Sequence, residues 1–187
     1  MLPISKVAEK IRQTLPELEG KRRMLAIAAP TQVNPVSVLL VCAMARNAPG
    51  PVLFLSVDRP NETLSRLVNR HCAGGPSILF PNVLQDPPKA REVACVSGLF
   101  APKLMLETFG QLSNIKGGGT PPTVIIGNLS TLIFYNSNDR IKEFITKLSE
   151  KVEDKTIGRL VMVMDRNALY IYSMAKQMCE SELDLSQ

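Results

Sequence analysis

Met24-Leu25-Ala26-Ile27-Ala28-Ala29-Pro30-Thr31-Gln32-Val33-Asn34-Pro35-Val36-Ser37-Val38-Leu39-Leu40-Val41 is the stretch on which the reading of this chain turns. A short apolar run stops at a polar, proline-containing turn and restarts as a longer apolar segment, which is the pattern of a buried strand, a loop and a buried helix. Leu25 to Ala28 has the length and apolarity of a central parallel strand. Pro35 suits the first turn of the helix, where its missing N–H would have no partner in any case. Val36, Val38, Leu39, Leu40, Val41, Ala43 and Met44 fall on every face of that helix, so it is expected to be buried on nearly all sides.

The same alternation repeats along the chain. Within residues 1–20, Ile4, Val7, Ile11 and Leu15 recur at helical spacing between charged residues, predicting an amphipathic helix over 3–15 that Pro16 ends or bends. Val52 to Val57 reads as a second buried strand. Asp58 follows at its end, and Arg59-Pro60 opens a helix with Leu64, Leu67 and Val68 inside. Residues 76–90 are irregular around the brief apolar piece Ile78-Leu79-Phe80, and Glu92 to Val96 reads as an edge or short strand. Pro102 to Ile115 is expected to be a helix, residues 116–122 a flexible Gly/Pro connector, and Thr123 to Ile126 the third strong strand. Ile141, Phe144, Ile145, Leu148 and Val152 give the clearest helical stripe. Leu160 to Met164 is a further strand, followed by a last helix and an acidic end, Glu180 to Gln187, expected to fray. Strands alternating with helices imply one mostly parallel sheet covered on both faces, a three-layer α/β/α fold in a single domain over 1–187.

Composition limits the function. At 187 residues the chain is about one domain long, and its formal charge of +5 is spread, with no basic run denser than Lys21-Arg22-Arg23. Six Phe, three Tyr and no Trp leave few stacking platforms for single strands. Cys42, Cys72, Cys95 and Cys179 are far apart and His71 is alone, which does not make a metal site; Cys42 and Cys95 lie in apolar runs and read as small buried hydrophobes. His71 reads as a helix C-terminal residue rather than a general base. No leader-type segment and no apolar run of about 18 residues is present, so a soluble, cytoplasmic protein with no membrane partner is expected.

The opening strand–loop–helix is where a phosphate-binding loop, G-x-x-x-x-G-K-[ST], would sit. The corresponding positions hold Ala29, Asn34, Pro35 and Val36, and the nearest hydroxyl, Ser37, comes one position late. Neither the lysine that meets the β/γ-phosphates nor the magnesium hydroxyl is there. Asp58 stands at the carboxyl end of a strand, where open α/β sheets bind ligands, although capping of the next helix by Asp58 or Asn61 explains it at least as well.

Pro51-Val52-Leu53-Phe54-Leu55-Ser56-Val57-Asp58-Arg59-Pro60, and Pro121-Pro122-Thr123-Val124-Ile125-Ile126-Gly127-Asn128-Leu129-Ser130-Thr131-Leu132, resemble in order and wording the RecA/KaiC-like P-loop ATPases. The likeness runs over about residues 20–178. It implies a RecA-like core in which Asp58 matches the acidic residue that orients the attacking water. Pro35 stands at the phosphate lysine, Val36 at the magnesium hydroxyl and Gly127 at the Walker B aspartate, so three of four catalytic parts are replaced. The resemblance therefore implies a degenerate member: a pseudo-ATPase with no resident cofactor, weak ATP binding left open, acting as a regulatory or scaffolding protein through self-association or a protein partner. The candidate vestigial pocket is Pro30, Thr31, Gln32, Asn34, Ser37, Asp58 and Asn128, with no catalytic residue among them. Two alternatives stand beside it. One is a nucleic-acid-binding accessory protein similar to recombinase paralogues, using Lys21-Arg22-Arg23, Arg66, Arg70, Lys89 and Arg91. The other is an enzyme on a repurposed pocket built from Thr31, Gln32, Asn34, Ser37 and Asp58.

Overall fold

The computed structural model describes residues 2–47, 49–59, 61–71, 77–79, 92–96, 101–114 and 120–187. Among the described residues seven strands form one sheet: β1 (Arg23–Ile27), β2 (Val52–Ser56), β3 (Ser77–Leu79), β4 (Glu92–Val96), β5 (Thr123–Gly127), β6 (Arg159–Met164) and β7 (Ser181–Asp184). Their spatial order is β3-β4-β2-β5-β6-β1-β7 and each of these pairings is parallel. Among the same residues six helices cover it: α1 (Ile4–Thr14), α2 (Val33–Asn47), α3 (Asn61–His71), α4 (Pro102–Asn114), α5 (Asn138–Glu153) and α6 (Leu169–Met178). The three-layer α/β/α arrangement expected from the sequence is what forms.

Two cores lie on opposite faces. One packs α1, α2 and Leu64 of α3 against Met24, Ala26, Phe54, Ile125 and Val163. The other packs α4, α5 and α6 against Leu25, Leu53, Val124 and Met162. Neighbouring strand residues thus point to opposite layers, and both layers are apolar, which is why the central strands read as unbroken hydrophobic runs. Helix α2 is buried along nearly its whole length because it lies on the sheet beneath α1 and α3. The α5 stripe Ile141, Phe144, Ile145, Leu148 and Val152 is wholly buried, as its spacing predicts. Pro16 converts the end of α1 into a 3-10 turn, Leu15–Leu18.

One expectation needs correction. The acidic end does not fray: β7 pairs with β1, and Leu183 and Leu185 are buried against the α1/α2 core. The run Glu182-Leu183-Asp184-Leu185 alternates with period two, so its carboxylates face out while its leucines face in. Of the two readings of Glu92 to Val96 the short strand is the one that forms: β4 lies between β3 and β2 with Val93, Ala94 and Cys95 buried. Cys42 is buried in the α1/α2 core, as its apolar run predicts, and is also disulfide-bonded. Cys95 is free and buried, its thiol pushed up to about 12 by burial.

Most of the irregular stretch 76–90 and the glycines of the expected connector lie outside the described residues. The connector's described end is fixed, because the Pro122 carbonyl accepts from the Gly158 N–H at 2.9 Å. Among the described residues no helix is long and apolar enough to cross a membrane.

Candidate functional site

The chain leaves β2 into α3 on one face of the sheet and leaves β5 towards α5 on the other, although β2 and β5 are neighbours. Loops that part in this way open a crevice at the carboxyl ends of the strands, the usual ligand position in such sheets. Asp58 and Asn128 stand on its two sides, and Asn128 Nδ2 donates to Asp58 Oδ2 at 2.7 Å.

Asn128 adopts the left-handed backbone conformation, φ 57° and ψ 53°, which asparagine tolerates better than most residues. The carbonyl of Asn128 accepts from both the N–H of Thr131, at 3.1 Å, and its hydroxyl, at 2.6 Å. That turn leads into the 3-10 segment Leu129–Phe134. The Ser130 hydroxyl accepts from the Asp165 N–H at 3.0 Å, tying the β5 exit to the β6 exit. Asp165 Oδ1 in turn accepts from the Asn167 N–H at 2.8 Å, closing its own turn.

Asp58 faces Arg59 Nε at 3.9 Å. With its amide oxygen towards the guanidinium, Asn34 accepts from Arg59 Nε at 2.8 Å and Nη2 at 3.1 Å. Asn34, Arg59, Asp58 and Asn128 therefore form one polar chain across the exits of β1, β2 and β5. A cation does stand beside the first turn of α2, as a phosphate lysine would, but it comes from the β2 exit. It is held by Asn34 and faced by a carboxylate.

The remaining candidate residues are not in this chain. The Ser37 hydroxyl is fully buried and donates to the Val33 carbonyl at 2.8 Å, inside its own helix. Gln32 is buried and turned to the N-terminus, donating to the Leu2 carbonyl at 2.8 Å. Pro30 and Thr31 are exposed. The loop backbone folds on itself: the Gln32 N–H donates to Ala29 O, and the Val36 N–H to Gln32 O, so neither is turned to an outside anion.

A Walker B carboxylate would have to grow from Gly127. A Cβ there would lie 2.7 Å from Phe54 Cε2, 3.0 Å from Cζ and 3.4 Å from Ser37 Oγ. Phe54, which is 2 % exposed, fills that space beneath α2. Among the described residues no three metal-ligating side chains come together.

The basic residues considered for nucleic acid are dispersed or engaged. Arg23 pairs with Glu153 at 2.6 Å and Glu180 at 3.3 Å, and Arg66 Nε donates to the Glu62 carbonyl. Lys89 and Arg91 lie outside the described residues. His71 ends α3, and burial, then the Arg70 charge, hold its pKa below the ordinary value.

Arg59, Ser130 and Asp165 complete the arrangement and were not among the sequence candidates. Asp165 had a signal, since it directly follows a strand as Asp58 does. Arg59 had none, because its role depends on the approach of α2. No protein-family model matches this chain, and no curated protein is significantly similar to it in sequence.

Proposed function

We propose that this chain is a degenerate RecA/KaiC-like domain, a pseudo-ATPase that acts as a regulatory or scaffolding protein through protein contacts. What supports this reading is that Phe54 packs against Gly127, where the resemblance would put a Walker B carboxylate, and that Arg59 and Asn34 close on each other at the start of α2. Phosphoryl transfer depends on charge positioned around the phosphates, and a site without its lysine, hydroxyl and metal carboxylate has little transition-state stabilisation to offer.

Asp58 matches the family's water-orienting acid, but here it accepts from Asn128 and faces Arg59. An acid used in that way holds loops together. The fold would then be retained for its surface.

Phosphate release from ATP and Mg²⁺ tests this reading. The purified chain is expected to release no more than the Asp58→Ala variant does. Turnover that Asp58→Ala abolishes would overturn it.

A further inference from the structure

We propose that the carboxyl edge of the sheet on the α4–α6 face docks an acidic, apolar peptide segment of a protein partner. The proposal extends the partner-binding reading above by naming the surface and the chemistry it selects. Along that edge the starts of α4, the 3-10 segment and α6 follow one another in the order of β4, β5 and β6. Each presents apolar side chains outward: Leu104 is 45 % exposed, Phe134 73 %, Leu169 71 % and Tyr170 47 %. Single exposed apolar residues are ordinary, but several on one edge mark a docking surface.

On the same face a cleft of about 410 Å³ lies between α4 and α5. It is lined by Lys103, Arg140 and Lys147 against one carboxylate, Glu143, and by Pro102 and Asn136 near the starts of the two helices. Those starts are the positive ends of the helix dipoles, so the cleft favours negative charge.

Two features select a peptide over a nucleic acid. Lys147 is held by Glu143 at 2.6 Å and Lys103 faces Glu107 at 3.8 Å, whereas Arg140 makes no ion pair within 4 Å among the described residues and acts on Glu143 only through its charge. A continuous phosphate backbone would meet those carboxylates; one or two acidic side chains would meet Arg140. Phe134 and Tyr170 can stack on bases, but Leu104 and Leu169 in the same set offer only burial, which leucine or phenylalanine would use.

The test is selection of a displayed library of random peptides on the full chain, followed by anisotropy of labelled selected peptides. Enrichment of Asp and Glu together with Leu and Phe is expected, with Phe134→Ser and Arg140→Glu each weakening binding about tenfold. Lys21→Glu, remote from this edge, is expected to leave it unchanged. Failure to enrich, enrichment of basic peptides, binding indifferent to both variants, or displacement by oligothymidine at equal concentration would each overturn the proposal. ATP turnover would overturn the pseudo-ATPase reading without altering this result, so the two failures are separable.

Discussion

The ring of Phe54 comes within 2.7 Å of the point where a Cβ on Gly127 would lie. Phe54 lies opposite Ile125 and Gly127 opposite Ser56 on neighbouring parallel strands, so the ring reaches Gly127 diagonally, beneath α2 and beside Ser37. The glycine is therefore a packing requirement of the phenylalanine. Gly127→Ala is expected to destabilise the fold by about 1–3 kcal/mol through overpacking. Combined with Phe54→Leu, it should cost less than the sum of the two single changes, by about 0.5 kcal/mol or more in a double-mutant cycle. Denaturant unfolding measures this, and strict additivity would mean that the ring does not set the glycine.

Asn128 has two tasks that substitution separates. Asn128→Gly keeps the left-handed backbone but removes the bond to Asp58, at a cost of about 1–2 kcal/mol for a charge-assisted hydrogen bond open to some water. Asn128→Ala adds backbone strain and should cost about 1 kcal/mol more. Equal effects in chemical denaturation would show that one of the two roles is absent.

β7 makes the chain's last residues part of the core. Leu183→Ala is expected to cost about 2–5 kcal/mol, as at other buried leucines, whereas a frayed tail would lose nothing. The thermal midpoint of that variant decides between them.

Much of this architecture was legible because apolar runs and helical stripes are local. The α5 stripe and the burial of α2 follow from spacing alone. The end of the chain was misread because its charge drew more attention than the alternation of Leu183 and Leu185 with Glu182 and Asp184. At the candidate site Pro35 and Gly127 could be read directly as positions without a charged side chain. Their surroundings could not: Arg59 reaches Asn34, and Phe54 reaches Gly127, only once strands distant in sequence lie side by side.

The outward carboxylates of β7 give the fold a pH dependence. Burial alone would raise the Glu182 and Asp184 carboxyls. For Glu182 the hydrogen bonds from Arg166, Lys176 and Tyr172 outweigh it, and for Asp184 those from Ser186 and the Arg166 charge do, so both are held below their ordinary values. A lowered folded pKa gives stability that is fully present above the unfolded value, about 4, and is lost as pH falls through the folded value. Stability should therefore fall on acidification below about pH 4, and the fall should be shallower in Glu182→Gln. An identical acid limb in that variant would remove Glu182 from the account.

The central proposal is that the protein's own residues close the crevice at Asn34 and Arg59 against nucleotide, and calorimetric titration of ATP with Mg²⁺ into the full chain tests it most directly. The account predicts no saturable heat at millimolar nucleotide. Micromolar binding, lost in Arg59→Ala, would contradict it by showing that the Asn34–Arg59 arrangement opens to receive phosphate.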